Sequence, residues 1–164
     1  MVSPSWTIER FLDELGSARP VPGGGSAAAV AGCLGTELGS MVCRILLARR
    51  NQNSKTAARL KRSLKRLDQL SGELRGLIRE DAQAYLGLVR ALEEKRGVTL
   101  AKRRATRSPV KICEAAAQAY REMNHLYRLA GPSLSSDLKG GQALLRGAFE
   151  VAFVTAQINL KVAR

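Results

Sequence analysis

Asp81 interrupts an otherwise apolar stripe. Leu60, Leu64, Leu67, Ser71, Leu74, Ile78, Asp81, Tyr85, Leu88 and Leu92 follow one another at alternating intervals of 4 and 3 residues. That repeat aligns side chains on one face of an α-helix. An ionised carboxylate on such a face is costly unless it is paired or hydrogen-bonded. Two arrangements meet the cost. One is a buried ion pair with an Arg of a neighbouring helix. The other is a site carboxylate with a shifted pKa, available for proton transfer.

Four further places have the residue types for chemistry. Gly23-Gly24-Gly25-Ser26 offers backbone N–H groups at the start of a predicted helix, where an anion or a developing negative charge is stabilised. It equally suits a plain turn, and the Lys-Ser/Thr of a nucleotide P-loop does not follow it. Asp137 lies in a predicted first turn, where the helix dipole favours its charge by about 0.3–1 kcal/mol. With Ser135 and Ser136 it reads as a cap or as a second carboxylate. Asn159, near Thr155 on the inner side of the last predicted helix, is either a core amide or a ligand contact. His125, the single histidine, sits at the edge of an apolar face and reads as structural. Cys33, Cys43 and Cys113 have no C-x-x-C spacing and read as small core fillers. Any acid–base chemistry therefore falls to carboxylates, and no metal site is expected.

These residues belong to a chain of 164, enough for one domain spanning 1–164. Hydrophobic residues make up 45 %, sufficient for a core. Aromatics are 4 %, too few to stack single-stranded bases. The formal charge is +13. Arg44 to Arg79 carries eleven bases against two acids, and Lys95 to Lys111 carries seven against none. Such a field attracts polyanions, but no nucleic-acid-binding motif accompanies it, so nucleic acid is disfavoured as a partner. A solvated basic face is the plain alternative. The first fifteen residues lack the apolar stretch of a signal peptide, and no run approaches the roughly 18 apolar residues that span a bilayer. A cytoplasmic protein without a membrane partner is the expectation.

The elements read as helix after helix. Ile8, Phe11, Leu12 and Leu15 form an amphipathic turn pattern with Thr7 as N-cap and Gly16 as stop. Prolines and glycines between 18 and 25 force a loop. Ser26 then caps a helix reaching about Arg50, so rich in Ala, Gly and Ser that it belongs at the centre of a bundle. Ser54 caps a long helix from Lys55 to Glu94. Lys95 to Arg107 reads as a basic connection, and Ser108-Pro109 as the start of the next helix. Gly131-Pro132 breaks that helix. Ser135 or Ser136 caps the last one, with Leu144, Ala148, Val151, Ile158 and Val162 facing inward. The fold class is all-α, a bundle of about five main helices.

Pro20-Val-Pro-Gly-Gly-Gly-Ser-Ala-Ala-Ala29, after FLDEL and before AGCLGTELGSMV, resembles the formiminotransferase-cyclodeaminase family. Glu80-Asp-Ala-Gln-Ala-Tyr85, Ser108-Pro109-Val110, Ser136-Asp137-Leu138 and Gln157-Ile-Asn-Leu160 are similar to that family's later blocks, in order. The 94–109 connection is shorter than the family's usual one, and the Asn-rich turn before its Ser-Asp pair is missing.

The resemblance implies a folate one-carbon enzyme, a methenyltetrahydrofolate cyclohydrolase or formiminotetrahydrofolate cyclodeaminase. It implies a homodimer and needs no cofactor beyond the tetrahydrofolate derivative that is its substrate. In this frame Asp81 and Asp137 are the catalytic carboxylates, converging on one cleft. Pro22, Gly23, Gly24, Gly25, Ser26, Ser136, Asn159 and Arg44 are the substrate-binding candidates, with bases between 44 and 66 holding a folate's glutamate tail, polyglutamylated or not. The competing reading is a basic helical adaptor for nucleic acid or a partner helix, without catalysis.

Overall fold

The computed structural model describes residues 1–49 and 53–161. Among them are six helices and no strand: α1 (Ile8–Leu15), α2 (Gly24–Ala48), α3 (Ser54–Glu93), α4 (Val98–Asn124), α5 (Tyr127–Ala130) and α6 (Pro132–Lys161). The four long helices close a ring. α2 packs on α3 and α6, and α4 packs on the other sides of the same two. Leu46, Leu60, Leu67, Leu74, Ile112, Met123, Leu138 and Leu145 fill its interior.

The small residues of α2 lie at the centre because backbones meet there. A Cβ on Gly35 would stand 2.6 Å from the carbonyl oxygen of Gly141 on α6, so only glycine allows the two helices to sit this close. By length and composition α2 also qualifies to cross a membrane, with a mean hydropathy of 1.4 over its most apolar window. That corrects the expectation that no run comes near spanning length. In this fold its Gly, Ser and Thr face is packed against α3 and α6.

Several boundaries differ from expectation, each for a local reason. α1 is capped by Thr7, whose Oγ1 accepts from the Arg10 N–H, and stops at Gly16. Only Phe11 of its apolar set is buried; Ile8 and Leu12 are exposed. α2 starts two residues before Ser26, with Gly23 as N-cap, and its C-cap is Arg49; Arg50 lies outside the described residues. α3 is capped by Asn53, whose Oδ1 accepts from the Thr56 N–H at 2.8 Å, and not by Ser54.

The basic stretch after Lys95 is no connection. Gly97, at φ +66°, turns the chain in the left-handed region, and α4 begins at Val98. Ser108 and Pro109 therefore lie inside a helix and do not open it. An internal proline donates no N–H to the carbonyl four residues back, here that of Ala105. Asn159 on α6 fills the gap: its Nδ2 donates to the Ala105 oxygen at 2.8 Å.

α6 opens at Pro132, so Ser135 and Ser136 are helical residues and not caps; the Ser135 hydroxyl donates to the Pro132 carbonyl. Its inner face is Leu134, Leu138, Gly141, Leu145, Ala148, Ala152, Ala156 and Asn159. Of the expected inward set, Ala148 is buried, while Val151 and Ile158 face out at 43 % and 54 % exposure. Val162 lies outside the described residues.

Candidate active site

The start of α2 is built around a carboxylate. Gly23 caps the helix with no side-chain hydrogen bond, leaving its first N–H groups to find partners elsewhere. Gly25 faces α3, and a Cβ there would fall inside the Asp81 carboxylate. Its absence admits Asp81 to the helix end. The Ser26 hydroxyl lies 3.2 Å from Asp81 Oδ2, to which it can donate, and 3.1 Å from the Ile78 carbonyl, its other acceptor. The Ser26 backbone N–H also supports the carboxylate. On the other side, a Cβ on Gly24 would stand 3.2 Å from Thr155 Oγ1 of α6. The loop before it is pinned by buried Pro22, joined to Val21 by a cis peptide bond.

Asp81 is 6 % exposed and, among the described residues, has no cationic partner. The buried Asp–Arg pair foreseen as one option is therefore replaced by a carboxylate at a helix N-terminus. Burial raises its pKa above the ordinary aspartate value, while the hydrogen bonds from Ser26 pull it down. A carboxylate balanced in this way is suited to take up and release a proton.

The same level of the bundle holds further inward polar groups. Ser108 on α4 is fully buried, with an unpartnered hydroxyl. Asn159 on α6 is one turn beyond Thr155. Past this level α3 and α6 continue, whereas α2 begins here.

Asp137 is elsewhere. Thr155 stands beside Gly24, and Asp137 is 18 residues earlier on the same helix, which puts it about 27 Å away along the axis. Within one chain the two carboxylates do not converge, because the length of α6 separates Asp137 from the end of the bundle where Asp81 meets α2. Ser136 goes with Asp137. Arg44 is about 30 Å along α2 from Gly24. Its guanidinium is engaged by Asp68 at 2.9 Å and Glu37 at 3.9 Å, so it joins α2 to α3. Asn159 donates from Nδ2 to the Ala105 carbonyl at 2.8 Å, a core hydrogen bond at the level of Thr155. Pro22, Gly23, Gly24, Gly25 and Ser26 do surround the Asp81 end.

Thr155 and Ser108 are not among the site candidates read from the sequence; their signal, a polar residue facing inward, is hidden because small residues dominate those faces. A polar groove of about 640 Å³ between α3 and α4 also went unforeseen, lined by Glu73, Arg79, Glu80, Lys111 and Glu114. The Lys111–Glu80 ion pair at 3.0 Å crosses it. The thiols are poor nucleophiles: burial pushes Cys33 up to about 11 and Cys43 up to about 12.

The fold and sequence have clear relatives. The chain is 36 % identical over 118 residues to a methenyltetrahydrofolate cyclohydrolase of Methylorubrum extorquens, covering 65 % of this chain and 56 % of that one. It is 29 % identical over 167 residues to the formimidoyltransferase-cyclodeaminase of Mus musculus, covering 94 % of this chain and 30 % of that one. It thus spans about half the length of the first relative and under a third of the second. The crystal structure of a formiminotetrahydrofolate cyclodeaminase from Thermotoga maritima superposes with a TM-score of 0.90 at 22 % identity, over 96 % of this chain and 80 % of that one, which establishes a shared fold. The family model for formiminotransferase-cyclodeaminase matches residues 7–164, and with it the ordered blocks from the Pro-Gly-Gly-Gly-Ser turn to the last helix have their explanation: the chain belongs to the formiminotransferase-cyclodeaminase family.

Proposed function

We propose that this chain acts on the one-carbon bridge of tetrahydrofolate, as a methenyltetrahydrofolate cyclohydrolase or a formiminotetrahydrofolate cyclodeaminase, with Asp81 as its proton-transfer group. The observation that carries this is the buried Asp81 carboxylate at the start of α2, held by Ser26 and without a cationic partner among the described residues, within a family whose named members work on these folates. In the hydrolytic direction, water adds to the methenyl carbon and loses a proton. The C–N5 bond then breaks and N5 gains a proton, leaving the 10-formyl form. In the deaminating direction, N10 attacks the formimino carbon and loses its proton, and the departing nitrogen is protonated to ammonia. Either course needs one group to move a proton in and out at a tetrahedral carbon. Positive partial charge at the α2 N-terminus would steady the carboxylate whenever it is ionised.

A glutamate tail, mono or poly, would be held by bases near this end of the bundle. Lys102, Arg103, Arg104 and Arg107 are on the stretch of α4 that contacts Asn159, whereas the bases from Arg44 to Arg66 are toward the far end. This moves the proposed tail contacts from the earlier segment to the later one.

The test is an absorbance assay for methenyltetrahydrofolate, run with that compound and with formiminotetrahydrofolate. Turnover of either, reduced about 10²-fold or more in Asp81→Asn with the fold retained, is the expected result. A wild-type chain that turns over neither, or an Asp81→Asn variant of full activity, would overturn the proposal.

A further inference from the structure

The four-helix ring has an apolar groove on the outside of its α4–α6 edge. Two cavities there, of about 470 and about 350 Å³, share Ala117, Arg121 and Phe149, so they form one continuous channel. It runs from Thr106 and Leu160 at one end to Arg121 and Arg146 at the other. Thr106 and Arg121 are fifteen residues apart on α4, which makes the channel about 22 Å long, or four helical turns. Small side chains make its floor: Cys113, Ala116 and Ala156 are buried beneath it.

Its wall uses the scarcest apolar residues of the chain. There are three phenylalanines in the sequence. Phe11 is buried, while Phe149 and Phe153 are 39 % and 49 % exposed, on this groove. Their rings stack on each other, 6.2 Å between centroids and 9° between planes. Val110 and Leu160 continue the apolar lining and are exposed too. The outward side of a surface helix is ordinarily polar, and a contiguous apolar patch rimmed by polar residues marks an interaction surface.

The rims are charged. On α4, Arg103, Arg107, Glu114 and Arg121 follow at intervals of 4, 7 and 7 residues; on α6, Lys139, Arg146, Glu150, Gln157 and Lys161 follow at 7, 4, 7 and 4. Those spacings keep each row on one side of its helix. Arg121 places the first row beside the groove, and Arg146, Glu150 and Gln157 place the second. The rows hold six cations against two acids, all exposed. None of these makes an ion pair among the described residues. A second copy laid in the groove would set like charge against like. An apolar stripe flanked by carboxylates meets both the bed and its rims, and a straight channel between two helices is the seat of a third.

We propose that a partner protein docks an acidic amphipathic helix of about four turns in the α4–α6 groove, with its apolar side chains on Phe149 and Phe153 and its carboxylates on Arg121 and Arg146. The folate reading does not bear on this surface. Asp81 is on α3 and faces α2, and Arg121 and Arg146 lie at the end of the groove away from the bases proposed for the glutamate tail. The apolar contacts supply affinity, and the rim charges select acidic flanks and make the affinity fall with salt.

The probe is a labelled, end-blocked peptide of about 16 residues, with leucines at alternating intervals of 4 and 3 and glutamates on both flanks. Fluorescence anisotropy with the full chain should give a Kd below about 100 μM. Phe149→Ala with Phe153→Ala should weaken it at least about 10-fold, with helical circular dichroism and any folate turnover unchanged. Arg121→Glu with Arg146→Glu should reverse the preference, so that the same peptide with lysine flanks binds more tightly than the glutamate one. Absence of binding at millimolar peptide, equal binding of a scrambled sequence, equal binding to the phenylalanine variant, or a preference unmoved by the charge exchange would each overturn the proposal. Light scattering and vesicles distinguish the other occupants. A smaller mass for the phenylalanine variant than for the wild type assigns the groove to a second copy. Binding to phosphatidylglycerol vesicles that this variant loses and the peptide does not displace assigns it to a bilayer. Either result overturns the acidic helix, and neither touches the role of Asp81.

Discussion

Gly25→Ala is the sharpest test of how the start of α2 is built. In an ordinary helix this change gains up to about 1 kcal/mol, because alanine loses less backbone freedom on folding. Here the new methyl would overlap the Cγ and both oxygens of Asp81. The carboxylate cannot simply step aside, since Ser26 holds it and the residue is buried. Moving it forfeits charge-assisted hydrogen bonds worth about 1.5–3 kcal/mol. Moving the helix instead costs about 1–3 kcal/mol in strained packing. The net expectation is a loss of roughly 2 kcal/mol, or a fall in Tm of about 4–8 °C for a chain of this size. Asp81→Ala removes the obstacle, so in that background Gly25→Ala should be neutral or gain up to about 1 kcal/mol. The coupling between the two sites is then about 2–3 kcal/mol. Urea denaturation of the wild type, both single variants and the double variant measures it. If Gly25→Ala costs the same in both backgrounds to within about 0.5 kcal/mol, the two residues are independent, and the account of Gly25 as the opening for Asp81 is wrong.

Asn159→Ala should cost about 1–3 kcal/mol in urea denaturation, because it leaves the Ala105 carbonyl without a partner. In a Pro109→Ala background the restored N–H serves that carbonyl, and the same change should cost under about 1 kcal/mol. Asp81 sets a pH dependence. Its folded pKa is raised above the ordinary 3.8, so the folded chain binds that proton more tightly than the unfolded one. Its stabilising share is full below 3.8 and is lost as pH climbs through the raised value. Urea titrations across that window should show Asp81→Asn gaining on the wild type as pH rises, then a constant gap; a gap constant throughout would refute the shift.

What could be read from the sequence followed bulky side chains. The α3 stripe was legible because leucines mark it at every turn, and Asp81 stood out against them. The Gly/Ala composition of α2 gave its central position for the opposite reason, since only close packing uses so many small residues. The errors arose where small residues carry the inner face. On α6, Gly141, Ala148, Ala152 and Ala156 face the core while Val151 and Ile158 do not, so counting large hydrophobics chose the wrong side. In α4, Ala105 and Ser108 continue the buried face through a basic segment, and Pro109 looked like a beginning because the amide that repairs its gap is fifty residues away. The separation of Asp81 from Asp137 was out of reach for another reason. Sequence order says that both belong to helices, but only the level at which α2 meets α6 decides that they occupy opposite ends.

The proline in α4 also orders events in time. Chains emerge from the ribosome N-terminal end first, and Asn159 follows Pro109 by fifty residues. Until it arrives, the Ala105 carbonyl lacks the N–H that Asn159 supplies, while α4 can already pack on α3. The segment from Val98 to Ser108, basic and without an acid, gains its contact with Asn159 only when α6 docks. The last helix made is thus the one that finishes the fourth.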